Sequence, residues 1–466
     1  MKLNFNSIRY VAAGLLLICL STANLRAQWQ AFTPVLSDTI GISDLRIAQD
    51  NDSVAWAVAM KYDVDSTQYG WVPIDSLFFV KTADAGATWS GGKIPLGIEP
   101  YASNICPISA DEAWVTGIDA DYFSYIMHTT DGGLSWQRQF ETGFAEGSSY
   151  INLVHFWDAQ HGVAMGDPAV SANDTIPFFE IYTTSDGGQN WTRTGSNNIP
   201  AVLPDEYGFS GNYFVSGETI WFSTFNFNSF TWVRAFRSTD RGLSWTASDA
   251  LAGDLSFADS LHGVGSEYGE PSYLLRYTAD GGTTWTDLPE MEPGLISSLV
   301  LIPESYYILA VVRTNNITGP FRTIISTDLG TSWTEIGTSE LAGNAKFRSP
   351  RLGYAGEWQP SDHATRMYKY AGSPLTGLFS GKTLQAQVIV APNPTADILS
   401  VFIDADQPAD YTLLLNDAAG RLITRLHLDK AAQGSTQLDL RTLPAGIYTL
   451  TVSSEKGYAT KRVVKQ

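Results

Sequence analysis

Thr129-Thr130-Asp131-Gly132-Gly133-Leu134-Ser135-Trp136 is the stretch whose reading decides the fold. An aspartate carboxylate accepts hydrogen bonds from the backbone of its own turn. Glycine supplies a positive φ that other residues resist. The hydroxyl residues add local bonds to the backbone. The tryptophan opens the next strand and buries a large ring. The whole is a self-capped hairpin turn. The same order recurs at Thr82–Trp89, Thr184–Trp191, Ser238–Trp245, Thr278–Trp285 and Ser326–Trp333. The six aspartates are Asp84, Asp131, Asp186, Asp240, Asp280 and Asp328, at intervals of 47, 55, 54, 40 and 48 residues. A period of that size marks a repeat architecture built from one supersecondary unit.

Upstream of each turn lies a second repeat: an apolar strand, a polar turn, then a small residue opening another strand. Phe156-Trp157-Asp158 to His161-Gly162-Val163, Phe257-Ala258-Asp259 to His262-Gly263-Val264, and Phe347–Arg351 to Gly353-Tyr354-Ala355 show it plainly. Looser versions run through 47–59, 107–116, 215–223 and 302–312, making seven copies against six tryptophan turns. The seventh unit, Phe347 to Tyr370, lacks its closing turn. Gln28-Trp29-Gln30 reads like the strand that follows each turn elsewhere, as in Ser135-Trp136-Gln137. Residues 29–33 are therefore expected to complete the last sheet beside Arg366–Tyr370 and to close the ring, which removes its exposed edges.

These turns resemble Asp-boxes, also called BNR repeats, which occur in sialidases, xyloglucan-active glycosidases, sortilin-type receptors and photosystem II assembly factors. The resemblance implies an all-β fold: a seven-bladed β-propeller over residues 28–372, closed by its N-terminal strand. It implies little about activity, since one fold hosts many functions.

Residues 373–387 read as a linker of small residues, glycine and proline. Beyond it tryptophan disappears, and short strands are expected at 398–403, 411–416, 422–428, 436–439, 446–453 and 458–464, a small C-terminal β-sandwich. Pro392-Asn393-Pro394, Asp417 to Gly420-Arg421, Leu443-Pro444-Ala445-Gly446-Ile447-Tyr448 and the tail Lys461-Arg462-Val463-Val464-Lys465 resemble, in order, the type A sorting domain of type IX secretion. The resemblance, over residues 388–466, implies the type IX machinery as a partner, outer-membrane export, cleavage of this domain, and release or attachment at the cell surface.

Lys2 and Arg9 precede the apolar run Val11–Leu20, too short to span a bilayer, and Leu25-Arg26-Ala27 ends it. Residues 1–27 read as a signal peptide. No later stretch is apolar enough for a transmembrane helix. Once Cys19 is removed, Cys106 stands alone and no internal disulfide is possible. The formal charge of −19 argues against nucleic acid and anionic membranes as partners. Residues 388–466 carry 8 basic and 8 acidic residues, so the acidic excess lies upstream. A monomer is expected.

In an up-and-down sheet the third-to-fourth turns, which hold the six aspartates, lie on one face with the first-to-second turns. The six aspartates are read as structural. The long second-to-third loops and the connections between sheets lie opposite, and there the sequence places aromatic residues beside carboxylates: Tyr69, Trp71, Asp121, Tyr122, Asp167, Phe227, Trp232, Tyr268 and Trp358. Exposed rings beside carboxylates and amides suit a glycan or a peptide. The reading is a secreted or surface propeller that binds an extracellular glycan or protein through this face. Its rivals are an exo-acting glycosidase with paired carboxylates at the channel mouth, and a structural or adhesion module without a pocket. The sequence leans away from an enzyme. The Phe/Tyr-Arg-Ile-Pro signature of sialidases is absent, and the many acidic residues, Asp119, Asp205, Glu206, Glu267 and Glu270 among them, show no diagnostic spacing for a facing pair. No cofactor motif is visible. Asp63 with Asp65 and Asp119 with Asp121 alternate as calcium ligands do, without the rest of such a loop. Zinc spacing and phosphate-binding loops are also absent.

Overall fold

The computed structural model describes residues 29–32, 40–61, 77–95, 104–119, 123–140, 143–144, 149–170, 174–248, 253–269, 272–291, 294–303, 305, 307–314, 321–338, 343–357, 366–372, 375, 386–417, 422–454 and 457–466. Among these residues the structure is all-β, with one short 3-10 turn at Ser196–Asn198 and no α-helix. Seven four-stranded antiparallel sheets follow one another along the chain, and a five-stranded sheet comes last.

The first strands of the seven sheets are Ile40–Ile47, Ile105–Pro107, Ile151–Phe156, Tyr207–Ser216, Asp254–Phe257, Gly294–Leu301 and Gly343–Ser349. Each touches the first strand of the next sheet, and the last returns to the first, so they surround a central channel. The seventh sheet is assembled from both ends of this region. Trp29–Phe32 pairs antiparallel with Met367–Tyr370 in the register Trp29↔Tyr370 to Phe32↔Met367. The Trp29 indole is buried edge-on against Phe347 and Tyr370, at 5.6 and 5.7 Å between ring centres. The expected closing strand is thus in place.

The sheets are apolar on both faces because each is sandwiched between two others, which is why their middle strands read as continuous hydrophobic runs rather than alternating ones. The middle strand Ala113–Ile118 is buried along its whole length, and so is the first strand Ile151–Phe156. Tryptophans from the hairpin turns fill the seams between neighbours. Trp136 packs against Trp56 and Phe79 of the preceding sheet, and Trp89 against Phe32 and Tyr354 of the seventh. The Lys369 ammonium adds a 2.6 Å hydrogen bond to the Ala85 carbonyl across the closing seam.

In the C-terminal sheet, strands expected to be separate are continuous. Ile398–Asp417 and Leu422–Asp439 run through as two long paired strands. Their register shifts between Asp404 and Ala409, where the pairing passes from one half of the sheet to the other. The first half pairs with Ala386–Ala391 and the second with Gly446–Ser454. A bulge lets a strand bend around a corner without ending, and sequence alternation alone does not distinguish that from a break. A single core that includes Leu399, Val401, Leu413, Leu415, Leu450 and Val463 fills the fold of the sheet.

Candidate functional site

The aspartate turns consume their own polar groups. Asp131 Oδ1 accepts from the Ser135 N–H at 2.9 Å and from the Thr129 hydroxyl at 2.9 Å, and Oδ2 accepts from the Ser135 hydroxyl at 2.5 Å. The Gly133 N–H, at φ 86°, donates to the Thr129 hydroxyl at 2.9 Å. The neighbouring Gly132 N–H donates to the Asp111 carbonyl in the first turn of the same sheet, placing both turns on one face. The pattern repeats at all six positions, with Asn190 Nδ2 taking the hydroxyl's place at Asp186. The Thr88 and Ser135 hydroxyls are the main reason the Asp84 and Asp131 carboxyls are held down at about 2.

Of the candidates expected on the opposite face, Tyr69, Trp71, Asp121, Tyr122 and Trp358 lie outside the described residues, as do Asp63 and Asp65. Tyr268 pairs with Tyr273 in the fifth sheet, and its side chain lies outside the described part. The other three candidates converge on the fourth sheet. Strands Thr219–Asn226 and Thr231–Ser238 carry a cluster of rings. Phe225 sits at its middle, 5.0 Å from Phe227 and 5.1 Å from Trp232, both edge-on. Phe209 stacks on Phe227 at 6.3 Å and leans on Trp232 at 5.1 Å. Tyr207, Phe209, Phe227 and Phe230 remain 39, 38, 48 and 77% exposed despite these contacts.

Asp167 does not face solvent. It is buried, its Oδ1 accepts from Asn152 Nδ2 at 2.7 Å and from the Gly208 N–H at 2.9 Å, and burial pushes its pKa up to about 6. Its role is to pin Gly208 between the two exposed rings Tyr207 and Phe209. Glu206, also buried, is held by Arg234 through both oxygens and by the Thr224 hydroxyl at 2.7 Å. Asp119 binds Arg138, and Glu267 lies 3.4 Å from Arg276. Each of these four carboxylates is engaged by its own surroundings.

The channel holds a polar cluster that the sequence reading did not single out. Arg46 Nε donates to both oxygens of Asp44 at 3.1 and 3.0 Å, its Nη atoms donate to the Tyr213 and Gly211 carbonyls, and its guanidinium lies 3.9 Å over the Tyr213 ring. Burial opposes the Arg46 charge, but Asp44, Tyr213 and Cys106 together more than offset it and the pKa is raised. Asn104 Nδ2 links Asp44 to the Tyr213 hydroxyl at 3.1 and 2.9 Å. Beside this cluster, the Cys106 thiol lies 3.6 Å from His155 Nδ1. Burial pushes the thiol up to about 12 and the imidazole down to about 3, so both groups are neutral and the pair lacks the thiolate that cysteine nucleophiles need. A signal did exist: Asp44, Arg46, Asp254, Asn344 and Lys346 occupy alternate positions in otherwise apolar first strands, the side facing the channel.

Two cavities flank this cluster. One, of about 350 Å3, opens on the aspartate-turn side among Arg46, Cys106, His155, Tyr213 and Lys346. The other, of about 120 Å3, lies toward the opposite face among Asp44, Asn212, Asp254 and Lys346. Among the described residues no group of three or more metal-ligating side chains is present.

Residues 389–466 match the family described as secretion system C-terminal sorting domain, and residues 50–248 match the family described as photosynthesis system II assembly factor YCF48. A curated relative, the photosystem II assembly lipoprotein Ycf48 of Synechococcus sp. (strain CC9902), is 27% identical over 157 residues, 30% of this chain. The chain thus spans about two-fifths (41%) of that relative's length. Similar solved structures include YCF48 bound to D1 peptide (16% identity, 74% of this chain and 96% of that one, TM-score 0.48). YCF48 from Cyanidioschyzon merolae is another (15%, 73% and 98%, TM-score 0.47). A Trypanosoma rangeli sialidase mutant displaying trans-sialidase activity is a third (9%, 91% and 83%, TM-score 0.41).

The fold is that of a β-propeller, with residues 50–248 matching the assembly-factor family and residues 389–466 the secretion sorting domain. The protein is cargo of the type IX route, destined for the cell surface or the extracellular space with cleavage of its C-terminal domain. No helix among the described residues is long and apolar enough to cross a membrane.

Proposed function

We propose that the propeller is a surface-displayed binding protein that grips an extracellular polypeptide through the ring cluster of the fourth sheet. Export in this reading starts at the signal segment 1–27 and ends with the sorting domain. One observation carries the assignment. Tyr207, Phe209, Phe227 and Phe230 are held together around Phe225 yet stay open to water. Exposed apolar surface costs about 25 cal/mol per Å2 relative to burial, and contiguous patches of it mark interaction sites.

The polar groups beside the rings favour a polypeptide over a sugar. A sugar platform needs hydrogen-bond partners free at the ring margin. Here Asn226 Oδ1 is occupied by the Asn228 and Ser229 N–H groups, the Ser229 and Thr231 hydroxyls bond each other at 2.7 Å, and Glu206 is held by Arg234. Beside the Tyr207 hydroxyl and the Asn228 amide, what remains is apolar contact area, suited to aliphatic and aromatic side chains.

The test is selection of a phage-displayed random peptide library on the full chain, with a glycan array in parallel. Enrichment of apolar peptides whose binding drops at least about tenfold in Phe227→Ser and Phe230→Ser is the expected result. Peptide binding unchanged in both variants sinks the assignment. A glycan signal abolished by the same substitutions, with no peptide enrichment, overturns the ligand class while keeping the surface.

A further inference from the structure

The channel cavity on the aspartate-turn side is distinct from the ring cluster and does not depend on its function. Two of its features call for a ligand. The first is Lys346, on the first strand of the seventh sheet. It is half-buried, and it lines both cavities. Among the described residues its ammonium has no hydrogen bond and no ion pair. Asp44 and Asp254 influence it only from a distance. Asp44 is already occupied by Arg46, Asn104 and the Ile105 N–H, and Asp254 by Asn212. Burial, with Arg46 nearby, lowers the Lys346 pKa to about 8, which leaves most of the amine charged at neutral pH.

The second feature is apolar lining: Phe214 and Val215 border the cavity and are partly exposed, whereas Leu45, Phe257 and Phe347 border it as buried residues. A cavity of about 350 Å3 with one unpaired cation and apolar lining matches a small molecule with a charged end and an apolar body.

We propose that this cavity binds a small organic carboxylate, its apolar body against Phe214 and Val215 and its oxyanion paired with the Lys346 ammonium. A free inorganic anion would leave the apolar wall wet, and an uncharged ligand would leave the lysine unpaired. The net charge of −19 repels anions at long range, so the affinity arises inside the channel rather than from steering. Arg46 is committed to Asp44, and Arg348 at the rim to Asp52 at 3.3 Å and to the Gln49 carbonyl. That leaves Lys346 as the charge available to a ligand in the cavity.

The experiment uses the full chain and two readouts. Isothermal titration with hexanoate and phenylacetate, against acetate and inorganic phosphate, measures binding to the protein and to K346M. Reductive methylation at pH 8, followed residue by residue by peptide mass spectrometry, reports the accessibility of the Lys346 amine in the unaltered protein. Expected are binding of the apolar carboxylates, a loss of about tenfold or more in K346M, and protection of Lys346 while surface lysines react unchanged. The methylation arm stands even if K346M fails to fold. Equal affinity in a folded K346M, or Lys346 labelled at the same rate with and without hexanoate, overturns the proposal. So does phosphate binding as well as the apolar carboxylates do.

Discussion

The Gly208 N–H donates a 2.9 Å hydrogen bond to Asp167 Oδ1, tying the start of the fourth sheet to the second strand of the third. The carboxylate belongs to one blade, and the rings it positions, Tyr207 and Phe209, belong to the next. Burial raises the Asp167 pKa from 3.8 to about 6. Between those values the native chain keeps a proton that the unfolded chain has released, so this group's contribution to stability falls as pH rises from about 4 to about 6. Asp167→Asn keeps an acceptor for Gly208 and removes the charge. Thermal melts should show it more stable than the parent at pH 7, by on the order of 2 kcal/mol, with no advantage at pH 4. An equal gain at both pH values would show that charge is not the cause.

The aspartate turns act in the opposite sense. Asp84 and Asp131 are held near 2, and Asp186, Asp240, Asp280 and Asp328 are lowered as well. Their contribution is complete above the ordinary carboxylate range and disappears as pH falls through about 2. Acid unfolding followed by tryptophan fluorescence should therefore lie mostly between pH 4 and 2. Replacing Asp240 by Ala should move the transition toward higher pH and lower the neutral-pH melting midpoint by ~2–5 °C.

Closure by Trp29 is testable through its side chain. Trp29→Ala removes a buried indole wedged between Phe347 and Tyr370. A loss of about 3–5 kcal/mol is expected, read from denaturant melts. Deleting residues 29–32 should also bare the edge strand Met367–Tyr370 and cause self-association visible by light scattering.

Cys106 is buried, and its thiol is pushed up to about 12. Iodoacetamide at pH 8 should leave it unmodified in the native protein and alkylate it fully in guanidinium chloride. Rapid native alkylation would show that the channel wall opens.

Phe230 is 77% exposed. Phe230→Ser should change stability by less than about 0.5 kcal/mol and shorten retention on a hydrophobic-interaction column. A large stability loss would mean that the ring is packed rather than displayed.

Much of the architecture was legible because the decisive residues are local. A carboxylate, a glycine and a tryptophan at fixed offsets announce a turn wherever the turn occurs, and Trp29 repeats the signature of the strand that follows it. The C-terminal strands were cut too short, because a bent strand and two separate strands share the same alternation around Asp404. The binding surface was legible as composition. Phe227 and Trp232 were singled out, whereas Phe209 joins them through folding, against Phe225, Phe227 and Trp232. Asp167 was read as exposed because one sequence cannot show that Asn152 and Gly208 cover it. The channel cluster escaped because Asp44, Asn104, Tyr213 and Lys346 sit on four different sheets, and only closing the circle brings them within reach of one another. The same closure places the 350 Å3 cavity on the side of the aspartate turns, opposite to where the loops suggested a site.

Trp29 and Tyr370 are register partners although about 340 residues of chain lie between them. A contact of such long sequence separation forms late and slowly. A growing or partly translocated polypeptide can complete six sheets and still carry an open horseshoe with two bare ends. Only when both termini of the propeller are present in the same compartment does the horseshoe become a wheel, so the decision between a sealed and a sticky molecule waits until Tyr370 has been reached.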